Sequence, residues 1–160
     1  MLSDDEISEL VEEEKMLPDD FGRSIRLKER EHTKFKVGEV FIQSRSGNRF
    51  QIIIRANTIN RFDFSIILLY IDETNITYIL RRYNGKHQHK NKIEKVSIYG
   101  FHIHKATERY QREYDRIDGY AEITNTYSNW GDALSQMIRD CNFVGNMFAS
   151  SPVVALAPTS

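Results

Sequence analysis

The stretch from residue 35 to residue 83 repeats one pattern, in which apolar or alternating segments are separated by short polar turns. The turns lie at 46–48, 57–60 and 72–75 and are rich in residues that favour turn conformations. Short turns join antiparallel neighbours, whereas parallel strands need a crossover of a dozen or more residues. The chain is therefore predicted to form an antiparallel meander, with the apolar run at 62–71 as a central strand.

The alternation extends to both sides of this stretch. Ser24, Arg26 and Lys28 alternate with Ile25 and Leu27, as in a strand with one buried face. We expect five or six strands between residues 23 and 104, at 23–28, 34–42, 50–54, 62–71, 76–83 and 96–104.

A helix is predicted before the sheet. Ser3 and Glu6 form a capping box, and apolar residues follow at helical spacing. The helix should cover 4–16, because Pro18 disfavours helical geometry in the residue before it. Residues 1–20 contain nine acids and one base, more charge than capping needs, so we expect this helix to be separable and to face basic residues or a basic partner.

Two helices are predicted after the sheet. The first is short and polar and covers 106–115. Ser128 is expected to cap the second helix. Its apolar stripe should pack on the sheet rather than form a ligand site, and it comprises Trp130, Leu134, Met137, Ile138 and Cys141.

These elements predict an α+β fold with an acidic N-terminal helix, an antiparallel meander sheet and C-terminal helices packed on the sheet. We expect one domain over 1–143. It divides into an acidic helix and linker at 1–20, a sheet at 23–104 and a helical segment at 106–142. The uncharged segment 144–160 should be a flexible tail.

Composition restricts the location and the chemistry. The single cysteine, Cys141, excludes an intramolecular disulfide and a thiolate zinc cage. The longest apolar run, 66–71, is too short to cross a bilayer as a helix. The first residues lack the basic and apolar regions of a secretion signal. We therefore expect a cytoplasmic protein that does not contact membranes.

Positive charge is concentrated between residues 81 and 116, where ten Lys and Arg residues accompany four Asp and Glu residues. Such a basic band suits a nucleic acid or an acidic protein surface, and the alternative is a solvated face of strands and helices. The expected contact residues are Arg81, Arg82, Lys86, Lys90, Lys92, Lys95, Lys105, Arg109 and Arg112.

Four of the five histidines form two matched pairs, His87 with His89 and His102 with His104. Residues two apart in a strand share a face, so all four rings could converge if the two segments are hairpin partners. Neutral imidazoles at these four positions could bind a divalent metal, which is the only cofactor that the sequence suggests.

Two other interpretations of the histidines remain open. His87, His102 and His104 could act as general acid and base on a phosphodiester, with Lys86 and Lys105 holding the phosphate. Alternatively, the histidines belong to a polar or nucleic-acid-contacting surface. Tyrosines and phenylalanines interleaved with the basic band could stack on unpaired bases, or could form the apolar face of the sheet.

The runs at 82–89 and 101–105, the loop at 118–121 and the closing helix around 133–134 resemble small uncharacterised bacterial and prophage proteins with a histidine-containing turn and a later His-x-His strand. The resemblance covers about residues 40–143. It implies an accessory protein of phage or other mobile elements, such as a toxin–antitoxin partner or a factor that blocks host defence.

We therefore expect a binding protein that acts on a nucleic acid or on a protein complex that handles nucleic acids. The alternative is a small ribonuclease-like toxin that uses the paired histidines, with or without a metal.

Overall fold

A computed structural model describes residues 1–25 and 27–145. The helices are α1 (Asp4–Glu12), α2 (Phe21–Ser24), α3 (Glu108–Tyr114) and α4 (Trp130–Asp140). The strands are β1 (Lys15–Met16), β2 (Lys28–Glu29), β3 (Phe35–Gln43), β4 (Arg49–Asn57), β5 (Phe64–Ile71), β6 (Thr77–Asn84), β7 (His89–Asn91), β8 (Val96–Ile98), β9 (His102–Lys105), β10 (Ala121–Ile123) and β11 (Phe143–Val144).

The main sheet of the described residues has seven antiparallel strands in the order β10-β9-β6-β5-β4-β3-β2. Strands β3 to β6 form the predicted meander, and the predicted central strand is β5. The α+β fold class is confirmed. The sheet exceeds the expected five or six strands because β10 lies within the segment 106–142, which was predicted to be helical.

One face of the sheet carries the apolar core, and α1 and α4 pack against it. Leu134, Met137 and Ile138 of α4 and its C-cap residue Cys141 are buried, as predicted, while Trp130 is partly buried. The α1 residues Ile7, Leu10 and Val11 also belong to this core. The apolar side of α1 therefore completes the core, which argues against the expectation that α1 is separable.

The N-terminal boundaries differ from the prediction. Helix α1 ends at Glu12 rather than residue 16, because Lys15–Met16 forms a parallel strand pair with Phe143–Val144. The expected strand at 23–28 begins as helix α2, since Phe21 is fully buried and its N–H donates to the Pro18 carbonyl. Arg26, predicted in that strand, lies outside the described residues.

Three later expectations also need correction. The predicted strand 96–104 is interrupted at Gly100, whose positive φ of 107° turns the chain between β8 and β9. The cap of α4 is Asn129 rather than Ser128, because the Asn129 side chain accepts from the Asp132 N–H over 2.8 Å. Val144, assigned to the flexible tail, is paired in β11, and residues 146–160 lie outside the described residues.

None of the described helices has the length and apolar character that a membrane-crossing helix requires.

Candidate functional site

The end of the sheet formed by β6, β9 and β10 has one apolar and one polar face. Ile103 in β9 joins the apolar core, whereas His102 and His104 project to the opposite face because strand side chains alternate. Their cross-strand neighbours on β6 are Asn84 and Arg82, respectively. Side chains of β6 and β9 thus form a polar face opposite the apolar core.

The β7–β8 hairpin lies over this polar face and brings the two histidine pairs together. The His89 ring centroid lies 4.5 Å from that of His104 and 5.8 Å from that of His102. The His102 centroid is 5.0 Å from His104 and 6.3 Å from His87. The four rings thus converge, but the two segments are not hairpin partners, because β7 pairs with β8 while β9 pairs with β6 and β10. His87 precedes β7 and is not in a strand.

Backbone carbonyls fix the protonation of the two β9 imidazoles. His104 Nδ1 lies 2.7 Å from the Asp118 carbonyl oxygen, and His102 Nδ1 lies 2.9 Å from that of Gly100. A carbonyl only accepts, so both Nδ1 atoms carry the proton. His102 Nε2 then accepts from the Asn84 amide over 3.4 Å.

The hairpin is held on the sheet by a second set of polar contacts. The Asn91 side chain donates to the Ala121 carbonyl over 2.8 Å and accepts from the Ala121 N–H over 2.9 Å. His89 Nε2 donates to the Gly119 carbonyl over 2.8 Å. These bonds tie the hairpin to β10 and to the loop before it.

Burial keeps His102 and His104 neutral. Their exposed fractions are 0% and 2%, and burial lowers the pKa of His102 below its usual value and that of His104 to about 3. A substrate in solution has no access to rings buried to this extent. The geometry therefore favours a packing role for these two rings, although the sequence offered them as an acid and a base.

His87 differs from the other three histidines in having a carboxylate partner. Its Nε2 contacts Asp63 Oδ1, and both side chains are partly exposed. Burial raises the pKa of the Asp63 carboxyl, but hydrogen bonds from Asn57 and His87 outweigh burial, so the pKa lies below its usual value. This ionised carboxylate orients an accessible imidazole. This pair could not be predicted from the sequence, because the two residues are 24 positions apart.

The described residues offer no ready set of ligands for the predicted metal ion. Within residues 1–25 and 27–145, no group of three or more His, Cys, Asp or Glu side chains is placed to hold a metal ion.

Four of the nine cations expected to contact a partner form salt bridges within the chain. Arg82 is paired with Asp118 over 3.1 Å, and Asp118 is 5% exposed and also bound by Arg116. The other three cations form four pairs, which join Lys105 to Glu122, Arg112 to Glu108, and Arg109 to both Glu94 and Glu113.

Arg81 points away from the polar face. It lines a groove of about 470 Å³ beside α1, together with Lys105, Asp4, Glu12 and Asp140. Part of the acidic helix therefore does face basic residues, as its charge suggested.

The remaining four cations, Lys86, Lys90, Lys92 and Lys95, are exposed and form no salt bridge with any residue that the structure describes. All four lie in or next to the β7–β8 hairpin. They are the part of the basic band that is free to meet a partner.

Aromatic rings accompany two of these lysines. The Lys86 ammonium lies 4.7 Å from the Phe62 ring centroid and 5.4 Å from that of Phe101. The Arg61 guanidinium also lies over Phe62, at 4.8 Å. At the other end of the hairpin, the Lys92 ammonium lies 5.5 Å from the ring of Tyr114. We call these residues the cation–aromatic surface, which comprises Arg61, Phe62, Lys86, Lys92, Phe101 and Tyr114.

The sequence did not predict that Arg61 and Phe62 belong to this surface, because the β4–β5 turn is distant along the chain from the basic band. Their contact with Lys86 arises where Gly85 packs on the Phe62 carbonyl and Lys86 N–H donates to that carbonyl over 2.7 Å.

Comparison of the chain with protein-family models, with curated proteins and with solved structures finds no match.

Proposed function

We propose that this protein binds single-stranded nucleic acid through the cation–aromatic surface. The observation that carries the proposal is the placement of Lys86 and Arg61 against the Phe62 ring, repeated at the far end of the hairpin by Lys92 and Tyr114.

This combination matches the chemistry of an unpaired strand. Lysine and arginine neutralise phosphates, and the faces of aromatic rings stack on bases of any sequence. Phe62 and Phe101 are partly exposed and their centroids lie 6.1 Å apart. The two groups lie at the two ends of segment 86–92, in which His87 and His89 are also partly exposed. One strand could therefore follow the hairpin from the first aromatic group to the second.

In this proposal the protein is an accessory factor of the phage or mobile-element type that the resemblance implies. It acts on a nucleic acid directly or on a complex that displays a single strand. The free lysines of the hairpin support the direct contact, because their charge is not neutralised within the described part of the chain.

The test is fluorescence anisotropy with a labelled single-stranded oligonucleotide over a salt series. Replacing Arg61 and Lys86 by Gln should weaken binding about tenfold and lower the slope of log K against log salt by about 1.4, because two phosphate contacts are lost. The matched control replaces Lys28 and Lys36, two exposed lysines of β2 and β3 at the opposite edge of the sheet. The proposal fails if both double variants lose affinity equally or if the wild-type protein does not bind.

A second candidate function follows from the contact between His87 and Asp63. The carboxylate accepts from Nε2, so Nδ1 of a neutral His87 is the basic nitrogen. Beside Lys86, that nitrogen could remove the 2′-hydroxyl proton of RNA. The 2′-oxygen would attack the adjacent phosphorus, and the departing 5′-oxygen would take a proton from water. The ribonuclease-like alternative thus depends on His87 rather than on the buried rings.

Cleavage assays separate this candidate from pure binding. An enzyme should convert RNA, but not DNA of the same sequence, to products with 2′,3′-cyclic phosphate ends. His87→Ala should lower the rate by about 10²–10⁴-fold. His32→Ala is the matched control, since His32 is an exposed histidine in the β2–β3 turn. Intact RNA after prolonged incubation would leave binding as the function.

A further inference from the structure

A small cavity opens between the turn of the β7–β8 hairpin, the end of α3 and the loop that precedes β10. Its volume is about 40 Å³. Lys90, Lys92 and Arg116 line it together with His89, and Tyr114 forms part of its wall. None of its lining residues among those described is an acid.

The positive charge of this cavity is not cancelled by its surroundings. Lys90 and Lys92 form no salt bridge with a described residue. Arg116 Nε donates to Asp118 over 3.3 Å, but the same carboxylate also accepts from Arg82 Nε over 3.1 Å. One negative charge therefore faces two guanidinium groups, which leaves a net positive charge beside the cavity.

A carboxylate of the hairpin turn is also engaged. Glu94 lies on the same hairpin turn and accepts from the Tyr110 hydroxyl over 2.5 Å. It also lies 3.8 Å from an Arg109 nitrogen. Glu94 is thus bound to side chains of α3 and does not neutralise Lys90 and Lys92 at the cavity.

We infer that this cavity is a subsite for a terminal phosphate monoester of a nucleic-acid strand. Resting on the function proposed above, this inference specifies that the protein prefers a strand that ends in a phosphate. The cavity is too small for a base or a sugar. A phosphate monoester carries a charge of about −1.5 to −2 at neutral pH, against −1 for an internal phosphodiester, and therefore suits a site lined by three cations better. The adjoining Tyr114 ring, 45% exposed, offers a face on which the terminal base can stack.

The experiment compares three internally labelled oligonucleotides of one sequence, ending in a 5′-phosphate, a 3′-phosphate or hydroxyls only. Anisotropy titrations should show that one phosphorylated form binds about tenfold more tightly than the hydroxyl form, the effect of one or two charge-assisted contacts. Arg116→Gln should abolish that preference while hydroxyl-ended strands still bind. Lys92→Gln should abolish it too, but should also weaken the binding of all three strands, because Lys92 belongs to the cation–aromatic surface. The matched control, Lys95→Gln, changes a free lysine of the same turn that does not line the cavity, and it should keep the preference. Circular dichroism melts verify that each variant is folded.

The outcomes separate the subsite from the proposed function. Equal binding of all three strands by the wild-type protein would overturn the subsite and leave strand binding intact. If no strand binds, the proposed function fails, and titration with inorganic phosphate followed by ³¹P NMR decides on the cavity alone. Phosphate binding that Lys92→Gln removes would support the subsite. No binding, or binding that Lys95→Gln weakens equally, would overturn it.

Discussion

The ammonium group of Lys15 donates a hydrogen bond to the carbonyl oxygen of Cys141 over 2.8 Å. It also donates to the carbonyls of Val11 and Glu13 over 2.9 and 2.8 Å. One buried cation thus holds the carboxyl ends of α1 and α4 together, where helix dipoles favour positive charge. Burial lowers the Lys15 pKa to about 8, so the ammonium form still predominates at neutral pH.

The first prediction is that Lys15→Met destabilises the protein by about 3 kcal/mol, because two buried carbonyls and one partly buried carbonyl lose a charged donor. Urea denaturation monitored by circular dichroism measures the change. Lys36→Met, at an exposed position of β3, should alter the unfolding free energy by less than about 0.5 kcal/mol. A similarly small loss for Lys15→Met would mean that water replaces the ammonium at this junction.

The second prediction concerns Gly85, which positions the loop that carries Lys86 and His87. A Cβ at residue 85 would lie 1.9 Å from the Phe62 carbonyl oxygen, a backbone atom that cannot move alone. Gly85→Ala should therefore cost about 2–3 kcal/mol of stability and weaken strand binding, because the loop must shift. Denaturation and anisotropy measure the two effects.

Gly131→Ala is the control for Gly85→Ala. Gly131 lies in the first turn of α4, and the nearest atom to an added Cβ is 3.4 Å away. Alanine has the higher helix propensity, so stability should rise by up to about 1 kcal/mol. Tolerance of alanine at residue 85 with unchanged binding would contradict the close packing of this loop.

The sequence predicted the meander because both of its determinants are local. Alternation assigns each side chain to a face, and short turns impose antiparallel pairing. The same period of two correctly placed His102 and His104 on one face of β9.

The errors arise where distant residues decide the outcome. Residues 13–16 consist of helix-forming types, yet the chain leaves the helix because Lys15 bonds to Cys141, 126 positions away. Asp63 and Asp118 reach their partners over 24 and 36 positions. No periodicity or local spacing encodes such contacts, so the sequence revealed His87 and Arg82 but not the carboxylates that pair with them.

The third prediction tests whether α1 is part of the core. Leu10 is buried against the sheet, so Leu10→Ala should lower the unfolding free energy by about 2–5 kcal/mol. Ser8→Ala, on the exposed side of the same helix, should change it by less than about 0.5 kcal/mol. Urea midpoints compare the two variants, and equal midpoints would restore the view that the acidic helix is separable.

The fourth prediction is a loss of stability on mild acidification. The pKa of His104 is about 3 in the folded protein, against an ordinary value of 6.5 in the unfolded chain. Between these values the unfolded chain binds a proton that the folded protein does not, so stability falls as the pH falls. His104 alone should cost about 2 kcal/mol between pH 7 and pH 5. His102 adds to the loss, because burial lowers its pKa as well. Most carboxyl groups titrate below this window.

His104→Asn assigns this pH dependence to one ring. The asparagine amide can take the place of Nδ1–H and still donate to the Asp118 carbonyl, but it does not titrate. The unfolding free energy, measured from pH 7 to pH 5, should therefore fall less steeply in the variant. The reason is that unfolding of the variant takes up about one proton fewer. The control is His32→Asn, which changes an exposed histidine at a positive φ of 62° that asparagine tolerates, and its slope should equal that of the wild type. If His104→Asn also keeps the wild-type slope, His104 accepts a proton in the folded protein, and the neutral packing role assigned to its ring is incorrect.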